Sequence, residues 1–573
     1  MIGLSNVKEM AFLSKLAEEI PSYEHMRLLQ HNDSQLASMI YPHDQLKELG
    51  VYGNVESSFR AENGKLNYLI YPLSHQLIVG STGSGKSTGP ISAQIMASLQ
   101  AGCISMVVSD PKGDLYRRYA SFAENSGCNV KLINLTNSEN SEAIGIFYKV
   151  AAEYRQGYLQ IGKGVKVCEL NGATGFLYKK KFFESKKFLA VFYKQEWQKL
   201  IEQTQSEVRD ILARLLPVKD RQSPHWEENS RKMLQALALA LIIDQFSLDL
   251  KRKTTLNQIN FSNMKKIFDS FGTTRRGVVE DKGFLSKRGE DSVVFREVKR
   301  TFFENADGTT RNYNGFVCDA FTRYNFSAFL DITLTSTLEV EDFVERPTIL
   351  FIKYDEMNVL VRDFLSYLIS GLLSDFKKMA DKTAKLALDR PVLFILDEFS
   401  SLPRNSDIVN FVAYGRSRNI YIHYVIQDYS QIRAKYGEEA NILLNAPCTM
   451  FLGSNDYNTV GQFSTQLGKQ TIVSPQTVCS TSEHAVRAFE ERPVVTCSEL
   501  SLMEQGQAYI KVFRKNPIKA SFEKCYECEE YQCESTPIES YKSVLSEVYD
   551  KCQYDVDNII ENIEDDDEDD YLF

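Results

Sequence analysis

Residues 80–88 read Gly80-Ser81-Thr82-Gly83-Ser84-Gly85-Lys86-Ser87-Thr88: a glycine, four residues, then Gly-Lys-Ser. That spacing suits a loop wrapped around a polyphosphate. Its glycines let successive N–H groups turn inward, Lys86 is placed for the β and γ oxygens, and the Ser87 hydroxyl is placed to ligate magnesium at the start of a helix. The ligands this implies are ATP and Mg2+. A second run, Val392-Leu393-Phe394-Ile395-Leu396, ends in Asp397-Glu398. Asp397 suits the magnesium shell, and Glu398 could take the proton of an attacking water or orient it. Two consecutive acids favour hydrolysis over kinase chemistry. Gln427 closes a later apolar run; if that strand neighbours the Asp397 strand, its amide can report on the γ-phosphate by hydrogen bonding. Arg416 and Arg418 precede that run. Either could reach a neighbouring subunit's γ-phosphate.

Strands and helices must bring these residues together. From residue 68 onward, short apolar runs ended by Gly, Ser or Asp alternate with helical patterns, the signature of a parallel sheet covered by helices on both faces. The spacing predicts strands at 75–79, 104–108, 130–133, 348–352, 392–396, 421–426, 449–452 and 508–512. Between the third and fourth lies a stretch of about two hundred residues without this alternation. There the sequence predicts helices over Glu202–Leu216, stopped by Pro217, and Trp226–Gln245, with Trp226, Met233, Leu237 and Leu241 at helical spacing. The fold expected is α/β, a RecA-like phosphate-loop core with a mostly parallel sheet and an inserted all-α domain. The expected segments are an extension (1–66), the core's first part (67–160), the insertion (161–340), the core's second part (341–520) and a C-terminal segment with an acidic tail (521–573).

As an ordered set these motifs are more specific than the phosphate loop alone. With Ser109-Asp110-Pro111-Lys112-Gly113-Asp114-Leu115, Gly415-Arg416-Ser417-Arg418-Asn419-Ile420, Ser430-Gln431, Lys435-Tyr436-Gly437 and Phe451-Leu452-Gly453-Ser454-Asn455-Asp456, the chain resembles the TraG/TraD-type conjugative coupling proteins. These belong to the FtsK/HerA branch of RecA-like motor ATPases. The match covers about residues 70–160 and 340–515, and Pro224-His225-Trp226 looks like the start of that family's all-α domain. The resemblance implies a homohexameric, ATP-driven pump at the cytoplasmic face of the membrane, delivering a relaxase and its attached single DNA strand to a type IV secretion channel. Residue by residue, it implies that Lys86 and Ser87 hold nucleotide and magnesium, that Asp397 and Glu398 support hydrolysis, that Gln427 senses phosphate, and that Arg416 is the trans-acting arginine. It leaves the Asp110–Asp114 loop without a role. Asn419 stands where the family commonly has Gly, a change that Asn's tolerance of the left-handed region accommodates.

The composition, 43% apolar and 25% charged in 573 residues, excludes a disordered or collagen-like chain. No window has the roughly 18 to 20 apolar residues of a spanning helix, so the expectation is a cytoplasmic protein that meets the membrane through a partner. The net charge of −10 conceals an asymmetry, because residues 552–573 hold ten acids and no Lys or Arg, while residues 161–300 hold 28 basic and 17 acidic residues. Phe182, Phe183, Phe188, Phe268 and Phe302 lie among the lysines and arginines of that basic stretch, an arrangement suited to single-stranded DNA. Solvated charged faces are the plainer alternative. Cys525, Cys528, Cys533 and Cys552 could supply four zinc ligands, though free thiols fit a reducing compartment as simply. Two other functions fit the same residues: a HerA-like motor on duplex DNA, and a docking platform switched by nucleotide with little turnover.

Overall fold

The β-branched and aromatic runs of the sequence become the strands of one sheet. Numbered along the chain these are β1 (Phe59–Ala61), β2 (Gly64–Leu66), β3 (Gln76–Val79), β4 (Ser105–Asp110), β5 (Asn129–Asn134), β6 (Thr348–Lys353), β7 (Val392–Leu396), β8 (Ile420–Ile426), β9 (Cys448–Phe451), β10 (Gln507–Val512) and β11 (Ile518–Phe522). The computed structural model describes residues 59–61, 64–66 and 74–553, the last without 163–165, 171–172, 179–180, 184–185, 218–223, 247–252, 275–277, 305–307, 474–488, 515–516, 523, 527–533, 544 and 546–548. The eleven strands lie in the order β2-β1-β11-β10-β9-β3-β8-β7-β4-β6-β5. The run from β9 to β6 is parallel throughout. β10, β11, β1 and β2 extend it antiparallel.

Burial on both faces explains why β7 and β8 are apolar without alternation. Leu393 and Ile395 share one cluster with Ile95, Met96 and Leu99 of the helix Ser92–Ala101. Phe394, between them, meets Phe376 of the helix Val359–Lys382 edge-on at 6.0 Å. Register aligns the strand ends: Ile426 pairs with Val79, Leu396 with Tyr424, and Leu396 with Ser109. The loops that follow β3, β8, β7 and β4 therefore leave the sheet side by side, where open parallel sheets hold ligands.

All eight strands expected from the sequence form, within a residue or two at each end. β1, β2 and β11 were not expected, and neither was the hairpin of Lys469–Val473 with Phe489–Pro493. β1 and β2 have three residues each, and β11 (Ile-Lys-Ala-Ser-Phe) is polar at every second position, so none offers a continuous apolar run.

Two compact units account for the described residues. One holds those up to Ile133 together with Glu339–Tyr541, the other Asn134–Leu338 and those from Lys542. The second unit begins earlier than residue 161 because the helix Tyr148–Gly162 packs against the helix Lys186–Leu215. It is α-rich rather than all-α, since Lys166–Leu170, Ala173–Tyr178 and Lys181–Phe183 form an antiparallel three-stranded sheet. Its core is the helix His225–Ile243, eleven of whose residues are buried. Trp226 meets Tyr313 at 5.0 Å, and Arg288 forms a buried bidentate pair with Asp244 (2.8 and 2.6 Å). Among the described residues no helix is long and apolar enough to cross a membrane.

Candidate nucleotide site

The phosphate loop is pinned to the strands beside it before any ligand is considered. Gly80 N–H donates to the Ile426 carbonyl at the end of β8 (3.0 Å), and Ser81 N–H to the Gly453 carbonyl just beyond β9 (2.9 Å). Gly83 and Gly85 adopt φ of 82° and 87°, in the left-handed region that favours glycine. A Cβ on Gly80 would lie 2.4 Å from Ser84 Oγ, so a side chain there would force the Ser84 hydroxyl to move. The N–H groups of Gly85 and Lys86 have no acceptor among the described residues, and Ser84 Oγ is buried without a partner. Donors left open at the start of a helix are what a phosphate needs.

Lys86 Nζ lies back on its own loop, donating to Gly80 O (2.8 Å) and Ser81 O (3.1 Å). Burial lowers its pKa, and Glu398 and Asp397 oppose that shift. Ser87 Oγ donates to Asp397 Oδ2 at 2.7 Å, joining residues 310 positions apart. Asp397 is buried, its other oxygen accepting from Glu398 N–H (3.0 Å) and its carbonyl from Ser109 Oγ (3.0 Å). Burial is the main cause that raises its pKa, against the Ser87 and Glu398 hydrogen bonds and Lys86. Glu398 is also raised, by burial first and then by Asp397, while Lys86 and a hydrogen bond from Gln427 pull it down. A hydroxyl and a carboxylate at hydrogen-bond distance, backed by a lysine, form a hard-oxygen donor set that fits Mg2+.

The structure thus brings together Gly80 to Thr88, Asp397, Glu398 and Gln427. It does not bring Arg416 to them. Arg416 sits before β8, at the opposite end from Gln427, and seven strand residues span roughly 20 Å. Arg416 is exposed and no carboxylate pairs with it among the described residues. Arg418 is engaged at home, with Asp381 at 3.1 Å and over the Tyr414 ring at 5.2 Å. Asn419 takes φ 63°, the left-handed conformation its position suggested.

Gln505 was not foreseen. Its Nε2 donates to Gly83 O (2.7 Å) from a polar loop that carries no motif. The Asp110 loop also gains a physical description. Asp110 caps the helix Asp114–Asn125, accepting from Tyr116 N–H (2.8 Å), and burial raises its carboxyl to about 6. Because its folded pKa lies above the unfolded 3.8, ionised Asp110 costs stability, and that cost grows as pH rises from about 4 to 6. Asp110→Asn should therefore be more stable than wild type at pH 7 by about 3 kcal/mol, with the gap closing below pH 4. Urea unfolding of both proteins at the two pH values checks this.

The basic stretch is less open than its composition suggests. Phe268 and Phe302 are core residues, with Phe302 at 0% exposure, so neither can stack on a base. Arg288 pairs with Asp244, Lys265 with Asp269, and Lys299 with Glu290 and Glu304. Lys179, Lys180, Lys251, Arg252, Arg275 and Arg276 lie outside the described residues, and Lys181, Phe182, Phe183, Lys186, Lys187 and Phe188 fall in segments described by backbone alone. Cys525 is buried, its Sγ accepting from Arg118, and Cys552 is buried in a turn. Cys528 and Cys533 lie outside the described residues, as do residues 1–58 and the acidic run 555–570. Among the described residues no group of three or more His, Cys, Asp and Glu could hold a metal.

Comparison with known proteins agrees with this geometry. No curated protein matches the chain. Among solved structures, the bacterial conjugative coupling protein TrwBdeltaN70 in an unbound form is 13% identical, with a TM-score of 0.55 over 87% of this chain and 95% of its own. TrwB in complex with the GTP analogue GDPNP has a TM-score of 0.51 (90% and 95% covered), and with ADP and Mg2+ also 0.51 (88% and 93%), both at 13% identity. These likenesses show the RecA-like fold. A family profile described as type IV secretory system conjugative DNA transfer matches residues 28–547. With nearly the whole described chain inside that match, this protein belongs to the conjugative DNA transfer family of type IV secretion, and is a coupling protein of the TraG/TraD type.

Proposed function

We propose that the chain binds ATP with Mg2+ and hydrolyses it to drive DNA, single-stranded and relaxase-linked, into a type IV secretion channel. In this reading it works as a homohexamer at the cytoplasmic face of the membrane, which it meets through a partner. The observation that carries the reading is the Ser87–Asp397 hydrogen bond, with Glu398 and Gln427 joined beside it. Support also comes from the related TrwB structures, which hold ADP with Mg2+ and analogues of ATP and GTP.

Bound nucleotide supplies the phosphoanhydride whose cleavage releases free energy, and Mg2+ supplies positive charge next to it. The chain's own residues do the rest. Lys86 exchanges its two loop carbonyls for phosphate oxygens, which costs little because it trades neutral acceptors for anionic ones. Ser87 Oγ and Asp397 Oδ2, bonded to each other at 2.7 Å, are the oxygens that would hold the cation. Glu398, half-buried and raised in pKa, accepts the water's proton, and the Gln427 amide that holds it feels the change. Arg416, remote from its own chain's loop, serves the adjacent subunit.

ATP turnover measured with single-stranded, duplex and no DNA tests the reading, using wild type and Lys86→Ala. The expected result is turnover stimulated most by single strands and lost in the variant. Greater stimulation by duplex would favour the duplex motor. DNA-independent, negligible turnover in wild type would leave only a docking platform.

A further inference from the structure

Glu398 is one of few non-glycine residues with positive φ (54°, ψ 38°), a conformation that persists only where its surroundings enforce it. The turn that follows it, Phe399–Ser401, shows how. Ser401 N–H and Ser401 Oγ both donate to the Glu398 carbonyl, each at 2.8 Å. The carbonyls of Ser400, Ser401 and Leu402 are then held by two cations from two different helices. Lys435, on the helix Tyr429–Tyr436, donates its Nζ to both Ser400 O and Leu402 O. Arg362, on the helix Val359–Lys382, donates to Ser401 O at 2.9 Å. Beneath them the fully buried Phe399 ring lies almost parallel to the Tyr436 ring, with centroids 6.0 Å apart and planes 11° apart.

We infer that Lys435, assisted by Arg362, is a positioning residue for catalysis: by fixing the carbonyls of Ser400 to Leu402 the two cations hold the Glu398 carboxylate at the site of water attack. The inference rests on the proposed hydrolysis and assigns a role to the Lys435-Tyr436-Gly437 motif. A turn needed only for shape would not require this arrangement. Two like charges converge on one three-residue turn, and one is desolvated, both of which are unfavourable unless the turn's position matters. Burial first, and Arg362 second, push the Lys435 ammonium down to about 8. The charged group that acts on it is Arg362. Beyond Tyr436 the Arg404–Glu439 pair, at 2.9 Å, is already matched. As pH rises through 8 Lys435 loses its charge. A neutral amine keeps two donors, but each bond loses about half its strength.

Steady-state ATP hydrolysis and amide hydrogen exchange of residues 398–402, on wild type, Lys435→Met and Lys435→Arg, test the inference. Lys435→Met should lower kcat on the order of 10- to 100-fold, with KM for ATP within twofold, and should speed exchange at Ser401 and Leu402. Lys435→Arg keeps the donors and should restore most of kcat. The fall in kcat expected of wild type above pH 8 should be absent from it, because guanidinium does not titrate there. Unchanged kcat and exchange in Lys435→Met overturn the inference, and so does a kcat loss matched by weaker ATP binding. If wild type hydrolyses no ATP, the functional proposal fails by itself, and the exchange data still decide whether Lys435 holds the turn.

Discussion

Arg416→Ala should cut DNA-stimulated ATP turnover by roughly 10³- to 10⁵-fold while leaving ATP binding within a few-fold of wild type. The size follows from what an arginine does for a phosphoryl group whose oxygens gain charge, and the spared binding follows from position. Arg416 lies one strand length from its own phosphate loop and touches none of its residues, so its loss leaves the Lys86, Ser87 and Asp397 contacts intact. Its side chain is exposed, the backbone before it turns tightly, and the turn packs on His75, whose ring lies 3.4 Å from where a Gly415 Cβ would sit. Mixing experiments separate a trans role from a local one. Arg416→Ala and Lys86→Ala should each be inactive alone, but the proposed ring, assembled from both, would contain junctions where an intact arginine faces an intact loop. Recovery of turnover on mixing is the expected outcome. No recovery, or a loss under tenfold in Arg416→Ala alone, would show that the arginine acts elsewhere.

Glu398→Gln should bind ATP as wild type does and hydrolyse it about 10²- to 10⁴-fold more slowly, the range for removal of a general base. The substitution keeps the side chain's shape and its ability to bond Gln427, and it removes a raised carboxyl close to Asp397. Relief of that repulsion predicts a fold at least as stable as wild type. Asp397→Asn differs in kind, because it weakens the cation's donor set and should reduce binding as well. Single-turnover hydrolysis beside equilibrium binding of labelled ATP distinguishes the two. Weak binding by Glu398→Gln would place that carboxylate among the nucleotide's ligands and remove it from the role of base.

The central parallel strands could be read from sequence because burial on both faces leaves uninterrupted apolar runs, and the phosphate loop because its glycine spacing follows from backbone geometry. Gln427 reaches Glu398 only if β8 neighbours β7, and the register of Tyr424 with Leu396 meets that condition. Three features left little trace. The edge strands β1, β2 and β11 are short or half polar. The phenylalanines of the basic stretch looked like stacking platforms, but periodicity cannot tell an exposed ring from a buried one until the helices are packed, and Phe302 proved to be core. Gln505, and Lys435 as a clamp, depend on contacts between segments remote in sequence, which no local pattern records.

β3 finds its neighbours far along the chain: Gln76 pairs with His423 and with Cys448, and Ser81 leans on Gly453. During synthesis at 5–20 residues per second, some 370 residues separate Val79 from Phe451, a delay of about 20 to 70 s. Over that interval the glycine loop has no walls. An incompletely translated copy therefore lacks the Ile426 and Gly453 carbonyls that pin the loop, and β3 waits without either of its neighbours.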